Sequence, residues 1–235
     1  MYSDHVEVRD EIIDGETNWY WIKGDTGAFE GPKNDWLNSH NTKYFQYLNE
    51  FDTIVTAGTN CGMYARFYSR KFKHVYAFEP EPRAFFCMVN NCQSDNVVKM
   101  NAALGHGHGL VGIRRADPGG NDMNVGMNQI GPVTDEFKIP MLTIDSLGLD
   151  ACNLIQLDVE GFEQYAIMGA KATIQKFKPV IIAERFSDIE NQKFMADLGY
   201  VLSDISGMDA IYLDGMYPAN KEGINKNDGH FVYQT

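Results

Sequence analysis

From residue 52 to about 200, short apolar runs alternate with stretches whose apolar residues recur at helical spacing. "TIVTA" (53–57), "HVYAF" (74–78), "NVVKMNAAL", "LIQLD" (154–158) and "PVIIAE" (179–184) read as strands. "MYARFYSRKF", "PEPRAFFCMVNNC", "FEQYAIMGAKATIQKF" and "DIENQKFMADLG" read as helices, the last ending at Gly199. Pro82 suits the first turn of the second helix, whose Phe85, Phe86 and Val89 fall on one side. "YVLSDISGMDAIYL" reads as a hairpin turning at Ser206-Gly207. Strand–helix alternation at this spacing predicts an α/β fold. Its sheet should be doubly wound and mostly parallel, with helices on both faces and the hairpin adding an antiparallel edge strand. Residues 105–139, rich in Gly and Asn, read as irregular.

Residues 1–50 break the pattern and hold all three tryptophans, Trp19, Trp21 and Trp36. They read as an N-terminal extension to a main domain spanning 51–235. The extension is either a hairpin with its aromatics on the sheet edge or a lid over a substrate pocket.

Between the first strand and the first helix stands "AGTNCG" (57–62). Gly58 and Gly62 allow a tight turn and close approach of a ligand to the main chain, and Asn60 adds a donor and an acceptor. The helix start beyond offers unpaired N–H groups to an anion. Glu79 ends the second strand, 19 residues after Asn60. A carboxylate so placed can hydrogen-bond the ribose diol of an adenosine cofactor. NAD and S-adenosylmethionine both satisfy this arrangement. The spacing lacks the G-x-G-x-x-G that suits a pyrophosphate, which favours a ligand without phosphates. Glu81 reads as a solvated neighbour.

Composition narrows the partners. The 235 residues carry 20 Lys and Arg against 32 Asp and Glu, a net charge of −12, so nucleic acid is not an expected partner. Arg66, Arg70, Lys71 and Lys73 read as a solvated helix face. Cys61, Cys87, Cys92 and Cys152 form no C-x-x-C pair, and no metal site is assigned. Neither a membrane-spanning run nor a secretory leader is seen, and the expected compartment is the cytoplasm. The oligomeric state is not legible.

Four segments together resemble the FkbM family of S-adenosylmethionine-dependent methyltransferases: "AGTNCG", "VYAFEPEP", "NAALG" (101–105), and "LTIDSL" followed by "LIQLDVEGFEQYAIMGA". The resemblance covers roughly residues 52–200 and implies a Rossmann-like fold binding S-adenosyl-L-methionine. It implies that Gly58, Asn60 and Gly62 form the methionine-side turn, and that Glu79, with Pro80 beside it, holds the ribose. Asn101 and Ala102 would meet the adenine. Asp158 would face the methionine part or the acceptor, with Glu160 and Gly161 shaping the next turn. Thr56 stands where the family usually has an Asp that helps hold the cofactor.

The expected reaction is O-methylation of a small-molecule hydroxyl, such as a sugar's, by direct displacement. Asp158, Glu160 and Glu184, all at strand tips, are the candidate bases and positioning groups. Glu160 is alternatively a cap for the following helix, and His106 and His108 read as solvated. The segment 114–132 is a candidate acceptor-facing loop. The rival readings are a catalytically silent S-adenosylmethionine-binding module, favoured by Thr56, and an NAD-dependent oxidoreductase, which lacks a visible hydride-transfer constellation.

Overall fold

The computed structural model describes residues 2–10, 18–26, 42–116, 124–134 and 138–216. Its central sheet has seven strands. β3 (Thr53–Ala57), β4 (His74–Phe78), β5 (Val97–Met100), β10 (Leu154–Leu157) and β11 (Val180–Glu184) are parallel, and β12 (Tyr200–Ser206) and β13 (Asp209–Asp214) complete it. The order is β12-β13-β11-β10-β3-β4-β5. Every residue of β3, β10 and β11 is buried, as continuous apolar runs require of a sheet covered on both faces.

Alternate side chains feed two cores. Ile54, Leu154 and Ile182 join one face; Val55, Ile155 and Ile181 join the other. The first face is covered by α1 (Met63–Ser69) and α2 (Pro82–Asn91). The second is covered by α3 (Glu163–Met168), α4 (Lys171–Phe177) and α5 (Ile189–Asp197).

The C-terminal hairpin closes one edge of the sheet as expected: β13 pairs antiparallel with both β11 and β12, and β12 is outermost. Burial explains this, because residues 210–213 are all buried whereas β12 is mostly exposed. The single helix expected after residue 161 is two helices, parted at Gly169-Ala170. A side chain at Gly169 would overlap the carbonyl of Gly105, so the backbones meet there. Asp145, from the "LTIDSL" segment, accepts from Ala172 N (3.0 Å) and Thr173 N (2.8 Å) and so starts α4. The buried stripe of α2 is Ala84, Cys87, Met88 and Asn91, while Phe85 and Phe86 are only partly buried and Val89 is exposed.

The stretch expected to be irregular holds strands. β6 (Ala103–Leu104), β7 (Gly109–Arg114), β8 (Gln129–Gly131) and β9 (Ile139–Leu142) form a second sheet in the order β6-β9-β7-β8.

In the N-terminal region β1 (Val6–Arg9) pairs antiparallel with β2 (Trp19–Ile22). The aromatics pack on helices rather than on the sheet edge. Trp19 and Trp21 are fully buried in the core that α1 and α2 share. Asn91 of α2 accepts from Tyr20 N (2.7 Å) and donates to Tyr20 O (2.8 Å), so β2 is sewn to the helix. Arg66, expected in solvent, lies 4.6 Å above the Trp19 ring. Trp36 lies outside the described residues.

Candidate active site

A cavity of about 330 Å³ opens across the C-terminal tips of β11, β10, β3 and β4, where open parallel sheets bind their ligands. Strand order lays the chemistry out in a row. Glu184 ends β11 and Arg185 follows it, residues 158–160 follow β10, Gly58 and Asn60 follow β3, and Glu79 and Pro80 follow β4.

Glu79 is 6% exposed. Its Oε2 accepts from Asn60 N at 2.7 Å and its Oε1 from Glu81 N at 2.9 Å. Each oxygen keeps a further lone pair, and the residue lines the cavity. Burial and the nearby Glu81 carboxylate push its pKa up to about 8, against the two backbone donors that favour the ionised form. Glu81 is not solvated: it caps α2 through Ala84 N (2.7 Å) and pairs with Arg83 (2.6 Å).

Of the two glycines of the turn, Gly58 lines the cavity and Gly62 does not. Gly58 has φ +77°, and a Cβ there would overlap the Asp158 carbonyl, so two strand-end loops touch. Gly62 has φ +92° and sits 2.8 Å, measured from where a Cβ would be, from Met88 Cα of α2. Asn60 also adopts positive φ (50°), and its Oδ1 is buried at the cavity wall with no partner among the described residues. The helix that follows is only seven residues long, so little rests on its dipole.

Thr56 lies beneath the cavity rather than in it. It is fully buried and its hydroxyl donates to Gln156 across the β3–β10 pair. Asn101 is a brace, donating to Glu79 O (2.8 Å) and Pro80 O (3.0 Å), and its neighbour Ala102 lines the cavity.

At the other end Asp158, Glu160 and Glu184 bring one carboxylate oxygen each within 4.8 Å of one another, close enough to share a cation. Burial, and then the Glu184 and Glu160 charges, push Asp158 well above the usual carboxylate range. Burial and Glu184 raise Glu160 as well, with Arg185 opposing. Arg185 Nη1 is 3.5 Å from Glu160, and its Nε is 4.0 Å from Glu184. Glu160 does not cap α3. It has φ 51°, and it is Glu163 that accepts from Val159 N (3.0 Å) to close the loop.

Sequence reasoning missed Tyr64, which lines the cavity and donates to Asp158 Oδ2 at 3.4 Å. Its position on a buried helix face carries no signal separating it from ordinary core. Phe78, Leu104, Ile113 and Ile130 give the cavity apolar walls, and residues 124–130 close it, so part of the expected acceptor loop does face the cavity. His106 and His108 are exposed and outside it.

An adenosine cofactor fits these residues. Glu79 presents two acceptors for a diol, the walls suit a flat ring, and the Asn60 oxygen awaits a donor. Residues 57–211 match the Methyltransferase FkbM domain. Among solved structures the chain resembles methyltransferase FkbM from Methylobacillus flagellatus KT, with 16% identity and a TM-score of 0.50, over 77% of this chain and 52% of that one. This chain thus spans about half the length of that protein. It also resembles precorrin-6y C5,15-methyltransferase from Geobacter metallireducens GS-15, with 12% identity, a TM-score of 0.41 and coverage of 77% and 87%. Trm5b from Pyrococcus abyssi shows 13% identity, a TM-score of 0.43 and coverage of 88% and 56%. No curated protein matches the chain.

Proposed function

This chain belongs to the FkbM methyltransferase family, and from that premise we propose that it moves a methyl group from S-adenosylmethionine to a hydroxyl of a small molecule, such as a sugar. The observation that carries the reading is Glu79: a buried carboxylate on the cavity wall, aligned by two backbone N–H groups and with one lone pair left on each oxygen.

When bound, the cofactor supplies an electrophilic methyl on a positively charged sulfur. The protein's part is to hold and align. Glu79 accepts from the ribose hydroxyls, and Pro80 and Ala102 border the nucleoside. Gly58 and Asn60 border the amino-acid tail. Asp158, Glu160 and Glu184 face the acceptor, and burial, with the charges of the other two, favours the protonated form of Asp158. An ionised oxygen of this trio takes the hydroxyl proton as the acceptor oxygen attacks, while Tyr64 holds Asp158 Oδ2 in place. The apolar walls keep water from competing.

The silent-module reading rested on Thr56, and the cavity does not include that residue. The −12 charge supports a small acceptor over a polyanion. Four buried, unpaired cysteines suit a reducing compartment, and the cytoplasm is the proposed one. No helix among the described residues is long and apolar enough to cross a membrane.

Calorimetry with S-adenosylmethionine, S-adenosylhomocysteine and NAD tests the cofactor: the first two bind and NAD does not. A screen of hydroxylated acceptors for S-adenosylhomocysteine release tests the transfer. If neither sulfur nucleotide binds, the proposal fails.

A further inference from the structure

Asn128 belongs to none of the segments that carry the family resemblance, yet it lines the cavity beside β8. Its Oδ1 accepts from Ala116 N at 3.0 Å, which fixes the orientation of the amide. The opposite atom, Nδ2, is shut off from bulk solvent and has no hydrogen-bond partner among the described residues. Buried amide donors are nearly always paired, and one left unpaired is costly unless a ligand completes it.

Neighbouring packing shows which end of the cavity this donor serves. Val125 packs into the core with Ala84 and Met88 of α2. Glu81 and Ala84, at the start of that helix, line the cavity with Glu79. The segment carrying Asn128 belongs to the sheet that starts at β6, and β6 follows directly on β5, the strand on the Glu79 side of the row; Glu184 and Asp158 stand on the opposite side of β3 from Glu79. Much of the remaining wall at this end is apolar, with Phe78, Ala102, Leu104, Ile113 and Ile130. Such side chains can clasp the faces of a flat heterocycle but cannot read its edge.

We propose that Asn128 Nδ2 donates a hydrogen bond to a ring nitrogen of the cofactor's adenine, making Asn128 the residue that reads the base. The inference rests on the S-adenosylmethionine reading above. Adenine carries acceptor nitrogens on its ring edge, which is the partner an unpaired amide donor requires. A hydrocarbon surface at that place would leave Nδ2 as orphaned as it is without ligand.

The test is calorimetry of S-adenosylhomocysteine and its 1-, 3- and 7-deaza analogues, each with one ring nitrogen replaced by C–H. The proteins are the wild type, Asn128→Ala and Asn128→Asp. The Asp variant keeps an oxygen for Ala116 N and turns the donor into an acceptor. Asn128→Ala should weaken S-adenosylhomocysteine about 3–10-fold, the range of one net hydrogen bond, and Asn128→Asp should weaken it further. One deaza analogue should bind the wild type weaker by a similar factor and bind wild type and Asn128→Ala alike. That wild-type comparison holds even if a variant folds poorly. Unchanged affinity in both variants overturns the inference, as does equal wild-type binding of all three analogues. A loss confined to the acceptor KM also overturns it, by giving the donor to the other substrate. Failure of the wild type to bind S-adenosylhomocysteine would strike the cofactor reading itself, and this inference with it.

Discussion

Raising the pH from 6.5 to 8.5 should tighten S-adenosylhomocysteine binding, and the size of the effect follows from Glu79. In the ligand-free protein this carboxyl has a pKa of about 8, raised mainly by burial. About 0.9 of it is therefore protonated at pH 7. Its oxygens already accept from Asn60 N and Glu81 N. Two ribose hydroxyls donating to the remaining lone pairs favour the ionised form and pull the pKa down. Binding then expels a proton wherever the free protein holds one. Affinity should rise about tenfold per pH unit below pH 8 and level off above it, roughly 25-fold in all between 6.5 and 8.5. Titrations at pH 7 in two buffers of different ionisation enthalpy should show release of about 0.9 proton per ligand. Glu79→Gln should bind more weakly, with a flat pH dependence over this range. The same raised pKa makes the ligand-free fold lose stability as pH climbs from 4.5 to about 8, because the folded state there holds the proton that the unfolded chain releases. A flat wild-type profile, or an unaltered slope in Glu79→Gln, would refute the placement of the diol on this carboxylate.

Two further outcomes follow from the strand tips. Thr56→Val should cost about 1–3 kcal/mol in denaturant unfolding, because Gln156 loses its buried donor, while S-adenosylhomocysteine affinity stays unchanged. Gly58→Ala should cost about 3 kcal/mol or more by the same assay, since φ is +77° and the new methyl meets the Asp158 carbonyl. A loss under about 1 kcal/mol would show that the two loops can part.

The sheet and most helices were legible because burial on both faces leaves continuous apolar runs in β3, β10 and β11, with helical periods between them. Glu79's place on the cavity wall was legible because the cavity of an open parallel sheet lies at its strand tips, beside the glycine turn. The missed features depend on contacts distant in sequence. Nothing local to "GAK" says that Gly169 abuts Gly105 and splits a helix. The α2 face is decided by which side meets Trp19 and Trp21, and the larger Phe85 and Phe86 are left partly outside. Two-, three- and four-residue strands such as β6, β8 and β9 are too short to show a period. Asn128 and Tyr64 gain meaning only from partners at Ala116 and Asp158.

The position of β13 sets an order of events during synthesis. β11 carries Glu184 to the acidic cluster, yet one of its two edges is filled only by a strand made about 30 residues later. Arg185 N likewise waits for Met208 O, at 2.7 Å. A nascent chain can pair β3, β4 and β5, the strands that lead to Gly58, Asn60 and Glu79, while β11 is still unmade in the ribosome. The Glu184 end of the cavity matures last, once residue 214 is free to close the sheet.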